Sequence, residues 1–494
     1  MATNLSAMTN TLFRPRKFFI EQGFTVKDIF ELVQQHNMLK PAYDTLGKYY
    51  RGEHMILNRI FDDENKPNNK AVHNFPKLIV DNSVSYFMGK PINYLSKESK
   101  LKEEVERLSL VNNEDDENAE LVKLTAIYGH AFEITWVNEN GDIRYKAINP
   151  GDVLYLRSTD IEEKPLCAVH YRVIPTKLVG EDKILMTVYT DTKIEEYEGK
   201  GNQVNSELKL IKTTPHFFGE VPVVEYIANE DRMGDFETII SLVDAYNLSV
   251  SDSVNDINYL NDAYLLLRNL ISTEDEDIED MKNNRIMLTD EEGDAKWLVK
   301  QVNDRHIENI KERLVADIHK FSMTPNLADE KFASNLSGVA ISYKLIGLEN
   351  KTAVRERKFS TGIMHRLRLI VNILNLKGNS FDVYDIKPIF TRNIPQNINE
   401  LVNTVVSLQD IVPDRELLAQ LPFVEDAEQA MEDLKKQRED NMENSYMFSE
   451  PDFDIGGQSD GTETDKKDTN SPRADLRTSV GKESVRQPKK SNTK

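Results

Sequence analysis

FETIISLVDAYNLSVSDSVNDINYLNDAYLLLRNL, residues 236 to 270, is the stretch on which the architecture turns. Phe236, Ile239, Val243, Tyr246, Val250, Val254, Ile257, Leu260, Tyr264 and Leu267 recur at steps of three or four, and no Gly or Pro interrupts them. That spacing predicts one helix about 52 Å long at about 1.5 Å per residue. Its other face carries Ser249, Ser251, Asp252, Asn255, Asp256, Asn258 and Asp262, so the helix is expected not to be buried all round. A repeat near 3.5 suits a helix packed lengthwise on a partner; the alternative is a long core helix of a monomer.

Working downstream, a second helix is expected from about Asn303, with Ile307, Ile310, Leu314, Ile318 and Phe321 on one face, stopping by Pro325. Between the two lies an acidic segment. Residues 271 to 294 hold ten acids (Glu274, Asp275, Glu276, Asp277, Glu279, Asp280, Asp290, Glu291, Glu292, Asp294) against Lys282 and Arg285, a net −8. It also holds strand candidates at Arg285 to Thr289 and Ala295 to Val299. If the two helices lie antiparallel, they form a stalk with a small αβ insertion at its far end. A polar loop, Asn326 to Ser337, then leads into a third long helix, about Gly338 to Leu376, in which Gly347 is a candidate bend. Residues 338 to 377 carry eight bases (Lys344, Lys351, Arg355, Arg357, Lys358, Arg366, Arg368, Lys377) against Glu349 and Glu356, a net +6. These bases are expected to pair with acids of a neighbouring subunit. The run Phe381 to Phe390 has strand character, Pro395 opens three shorter helices near 397–411, 414–420 and 425–440, and hydrophobicity collapses after 441 into a tail read as disordered.

Upstream, apolar residues at helical spacing mark Val26 to Tyr50, Asn74 to Met88, Leu101 to Leu110 and Glu117 to Tyr128. From Ala131 to Tyr226 the period becomes that of short alternating strands, separated by Asn140-Gly141, Pro150-Gly151 and Gly199 to Gly201. The first 235 residues therefore read as one α+β domain of antiparallel strands and helices.

A chain of 494 residues with 39% hydrophobic and 29% charged residues is globular and too long for one ordinary core. The formal charge of −21 argues against a protein that grips nucleic acid over its whole surface, since phosphate affinity comes from Lys and Arg. Cys167 alone cannot form an intrachain disulfide, which suits a reducing compartment. No basic segment followed by an apolar run opens the chain, and Ile363 to Leu376 is broken by His365, Arg366 and Arg368, so neither a secretory signal nor a membrane span is expected. Chemistry is also missing. Gly89-Lys90-Pro91 has Pro where a phosphate loop needs a hydroxyl, Asp290-Glu291-Glu292-Gly293 breaks the phase of a calcium loop, and no clustered Cys/His spacing occurs. No enzyme activity, no metal and no cofactor is expected.

Four stretches, in order, resemble the portal proteins of siphophages that infect Gram-positive bacteria. They are Asn74-Phe75-Pro76-Lys77-Leu78-Ile79-Val80-Asp81 running into Tyr86-Phe87-Met88-Gly89-Lys90-Pro91; Phe217-Phe218-Gly219-Glu220-Val221-Pro222-Val223-Val224-Glu225-Tyr226 followed by Val243-Asp244-Ala245-Tyr246-Asn247; Ser334-Asn335-Leu336-Ser337-Gly338-Val339-Ala340; and Phe390-Thr391-Arg392-Asn393-Ile394-Pro395. The resemblance implies an N-terminal arm at 1–20, a wing at 21–235 with a return strand near 381–393, stem helices at 236–270 and 303–325, and a clip at 271–302. It further implies a tunnel loop at 326–337, a long helix at 338–377, a helical crown at 397–440 and a tail at 441–494. Function follows from the resemblance in the same way: a dodecameric ring at one capsid vertex, through which double-stranded DNA passes without sequence specificity. The implied partners are other copies of the chain, the packaging terminase, the head-tail adaptor, and capsid and scaffolding proteins.

By position, Lys331, Asn335, Ser337 and Gly338 would approach the DNA, while Glu274, Asp275, Glu276, Asp277, Asp290, Glu291 and Glu292 would meet partner proteins, because like charge repels phosphate. A head-tail adaptor or minor head protein is the alternative, but it would lack the long helix pair and its insertion. The packaging enzyme is disfavoured by the missing phosphate loop.

Overall fold

The computed structural model describes residues 16–61, 67–175, 182–200, 208–261, 264–268, 294–298, 304–327, 338–394, 398–409, 411–418, 421, 424 and 427–447. In chain order the elements begin with β1 (Phe18–Ile20), α1 (Val26–Asn37), α2 (Lys40–Arg51), α3 (Phe75–Met88), β2 (Asn93–Ser96), α4 (Ser99–Asn112) and α5 (Glu114–Tyr128). Strands β3 (His130–Val137), β4 (Ile143–Ile148), β5 (Val153–Ser158), β6 (Pro165–Ile174), β7 (Lys183–Tyr189), β8 (Lys193–Lys200), β9 (Lys209–Pro215) and β10 (Val223–Ile227) follow. Then come α6 (Ile240–Asn261), β11 (Tyr264–Arg268), β12 (Asp294–Leu298), α7 (Asp304–Phe321), α8 (Gly338–Leu376) and β13 (Ile386–Ile389). Helices α9 (Ile398–Leu408), α10 (Asp414–Leu418) and α11 (Ala427–Met447) end the described chain. The fold class is α+β, as the alternation of periods predicts.

Local chemistry sets the boundaries. Thr25 caps α1 and Asp28 reaches back to the Thr25 backbone, a reciprocal capping box that satisfies two orphan donors. The helical pattern Val26 to Tyr50 is two helices rather than one, because the chain turns at Met38 and Leu39 and restarts with Pro41 in the first turn of α2. Asn74 caps α3, with Pro76 in its first turn. Five of the body's strands form an antiparallel meander, β5-β6-β7-β8-β9, and β1 adds to β5 in parallel to make six. A second sheet, β10-β3-β4, carries Tyr226 opposite Ala131 and Phe132 opposite Ile148. The pair β13-β2 brings Ile386–Ile389 back to the start of the body, a shorter strand than Phe381 to Phe390, since Val383–Asp385 form a 3-10 turn.

The main core joins α2, α3, α5, β3 and β10 to the C-terminal half of α8, with Phe87, Phe236, Phe359, Ile363 and Leu367 buried together. A satellite core under the six-stranded sheet holds Ile29, Val33, Leu154, Val169 and Met186. Cys167 lies there, fully buried, and burial pushes its thiol far up, so it acts as a small apolar side chain. Residues 1–397 form one compact unit and those from Ile398 another. Helix α11 continues to Met447, past the boundary at 441 where disorder was expected to begin. No helix among the described residues is long and apolar enough to cross a membrane.

Candidate functional site

The expected helix over 236–270 is shorter than its periodicity suggests. A 3-10 turn, Glu237–Ile239, opens it, α6 ends at Asn261, and Tyr264–Arg268 is a strand, antiparallel to Asp294–Leu298 with Leu266 opposite Lys296. The run Tyr264-Leu265-Leu266-Leu267 is apolar at every position, so it satisfies a helical step and a strand equally; a partner strand settles it. Helix α7 packs on α6, and Ile318 from α7 enters the main core. The strand candidate Ala295 to Val299 is realised as β12, whereas Arg285 to Thr289 lies outside the described residues.

The polar face of α6 has a use that its sequence does not announce. Asn247, Ser251 and Asn255, four residues apart, accept the backbone N–H of His73 at 2.8 Å, Ala71 at 3.0 Å and Asn69 at 2.8 Å. The extended segment before α3 is thus held along the helix by alternate amides, as a strand would be held by a neighbour. All three side chains are buried, so Ser251 and Asn255, two residues of the face expected to be open, are covered by the chain's own backbone, while Asp252 stays exposed. Arg59 adds an ion pair to Asp252 at 2.7 Å.

Helix α7 ends in a Schellman turn. Thr324 N–H donates to His319 O at 3.1 Å and Met323 N–H to Lys320 O at 3.3 Å, with Met323 at φ +53° in the position usually taken by Gly. Pro325 follows, as expected. Gly338 is the first residue of α8, and the helix continues through the candidate bend at Gly347 to Leu376. Gly347 lies beside the Met323 turn. Lys331, Asn335 and Ser337 lie outside the described residues, as do Glu274, Asp275, Glu276, Asp277, Asp290, Glu291 and Glu292.

Five of the bases of α8, expected to meet acids of a neighbouring subunit, already pair within the chain. Lys351 and Arg355 meet Asp235, Lys358 meets Glu230 at 2.6 Å, Arg366 meets Glu133 and Glu114, and Arg368 meets Glu220 at 3.2 Å. Arg366 is wholly buried; burial opposes its charge, but Glu133 and the nearby ring hydroxyls and Glu114 hold the guanidinium firmly protonated. Burial would likewise raise the Asp235 carboxyl, yet Arg355 and then Lys351 pull it down to about 2. A charge count along the helix reveals the bases but not their partners, which come from residues more than a hundred positions away. Among the described residues, no group of His, Cys, Asp and Glu is arranged to hold a metal.

An α+β body that sends out a helix pair interrupted by a small hairpin, then recovers a long helix into its own core, defines the class once relatives are compared. Residues 29–444 match the model of the phage portal proteins of the SPP1 Gp6-like kind. The portal protein of Clostridium phage phiCD119 is 24% identical over 397 residues, covering 76% of this chain and 86% of that protein. The portal protein of Bacillus phage SPP1 is 23% identical over 418 residues, covering 82% of each. The chain is a phage portal protein. It belongs to the SPP1 Gp6-like family, and the expected resemblance to portals of Gram-positive siphophages is met by both relatives.

Proposed function

We propose that the chain is the repeating subunit of a dodecameric ring that lines the DNA channel at one capsid vertex during packaging, retention and ejection. The observation that carries this reading is the pairing of α6 with α7 around the β11–β12 hairpin in a chain of the portal family. In it, the body is the wing, α6 and α7 are the stem, residues 271–302 are the clip, and 326–337 form the tunnel loop. The clip, a net −8 over 271–294, repels phosphate and docks proteins: the packaging terminase during filling and the head-tail adaptor afterwards. Capsid and scaffolding proteins surround the ring. Lys331, Asn335 and Ser337 touch the duplex through single contacts that water can replace, so double-stranded DNA slides without being gripped.

Electron microscopy of the purified protein tests the ring: particles with a central hole wide enough for duplex DNA are expected, and a monomer across salt conditions at micromolar concentration would refute it. Lys331→Glu tests the loop. It should leave ring yield unchanged and lower the DNA content per particle, whereas normal packaging would remove Lys331 from the DNA path. Neutralising Glu274 to Asp277 together with Asp290 to Glu292 should abolish terminase and adaptor binding while rings persist; retained binding of both would sink the clip assignment.

A further inference from the structure

The linker between β10 and the stem, residues 228–237, carries four acids, and three of them, Glu230, Asp235 and Glu237, are held by cations from elsewhere in the chain. Glu230 meets Lys17 at 3.1 Å and Lys358 at 2.6 Å. Glu237 takes a two-pronged pair from Arg16 at 3.0 Å, and Arg16 also donates to Tyr128 O at 2.6 Å. Asp235 is the innermost. Its backbone N–H donates to Ala126 O at 2.7 Å, its Oδ1 accepts from Arg355, and its Oδ2 accepts from Lys351 Nζ at 3.2 Å.

Lys351 has a second task. Its Nζ also donates to Ser322 O at 3.1 Å and reaches Thr324 Oγ1 at 3.4 Å, in the turn that ends α7. Ser322 O, just past the end of α7, has no successor in the helix to bond it; it accepts from the Thr324 hydroxyl at 3.3 Å and from the Lys351 ammonium. The ammonium therefore joins three pieces: the linker that leaves the body, the end of α7, and α8, on which Lys351 stands. Arg355 cannot take over this role. It serves Asp235 through one terminal nitrogen, and its buried Nε has no partner.

We propose that Lys351 and Asp235 are positioning residues that fasten the Ser322–Thr324 turn to the linker, so that the α6–α7 pair and α8 are held on the body as one piece. The outer pair, Glu230 with Lys17 and Lys358, is partly exposed and weakens with salt; the inner contact at Asp235 is dry and does not. The turn after α7 is also where Met323 adopts a left-handed conformation without being Gly, which a free helix end would not favour. The Lys351 contact is what offsets that cost.

Hydrogen exchange on the purified full chain reads this directly. Lys351→Met keeps the unbranched apolar stem, removes the ammonium and leaves the Asp235–Arg355 pair in place. It should speed exchange at Ser322, Met323 and Thr324 by on the order of 100-fold while leaving the amides of β6 and β7 as they were. Lys351→Arg, which keeps the charge, should restore most of the protection. Asp235→Asn should open the same turn, and the Lys351 variants decide the matter even if Asp235→Asn fails to fold. Unchanged exchange at Ser322–Thr324 in Lys351→Met overturns the proposal. Equal acceleration in β6 and β7 overturns it too, because the contact would then serve the fold as a whole.

Discussion

Replacing Arg366 by Ala is expected to destabilise the body by about 3–5 kcal/mol, a large fraction of the roughly 5–15 kcal/mol that holds a folded domain together. Arg366 Nε donates to Glu133 at 2.9 Å and Nη2 donates to the same carboxylate; Nη1 donates to Glu114 at 2.9 Å and Nη2 to Asn118 at 2.9 Å. The guanidinium lies 4.4 Å from the centre of the Tyr145 ring. Glu114 is shared further with Ser109 and Tyr94, the latter at 2.5 Å. Removing the cation leaves two carboxylates, one of them fully buried, without their counter-charge in a site closed to solvent. The desolvation, not the lost attraction, makes the effect large. Arg366→Met combined with Glu133→Gln and Glu114→Gln should therefore recover part of the loss. Soluble yield and thermal unfolding measure both; an Arg366→Ala protein within about 1 kcal/mol of the parent would show that the cluster is not a keystone.

Gly129→Ala should cost nearly as much, for a backbone reason. Gly129 ends α5 at φ +83°, and a Cβ there would fall 1.9 Å from Arg232 O. Left-handed strain contributes about 1–2 kcal/mol, and the neighbour cannot yield because it is backbone, in a linker held by the Asn229 side chain and by Arg232 on Glu225 at 2.7 Å and 2.9 Å. Gly141 is the control. It has a similar φ of +80° with open space around it, so Gly141→Ala should lose only that strain, about 1–2 kcal/mol. If the two substitutions shifted the unfolding midpoint equally, the close approach of α5 to the linker would carry no weight.

Much of the architecture is legible because local chemistry is sufficient for it. Thr25, Asn74-Phe75-Pro76 and Gly52 mark helix ends by satisfying orphan groups or relaxing φ, and those effects act within a few residues. Alternation between Ala131 and Tyr226 is the pleat itself, so strands are visible there, with turns at Asn140-Gly141 and Pro150-Gly151. The portal resemblance rests on stretches that fall within the matched span of 29–444. Misreadings arise where two local patterns fit equally. Tyr264 to Leu267 is apolar throughout, so a helix and a strand fit it alike.

What the sequence determined alone is therefore most of the elements, their order, and the excess of acid between the stem helices and of base after Gly338. The tertiary structure decided the partners. Ser251 and Asn255 read as part of a half-open polar face until segment 69–71 is laid along them, and the bases of α8 read as a surface for a neighbour until Asp235, Glu133 and Glu114 are folded against them. Periodicity reports only which side of an element is apolar, because it is set by contacts a few residues apart. Which polar group meets which is set by distances between positions separated by more than a hundred residues, and only the packed chain brings those together.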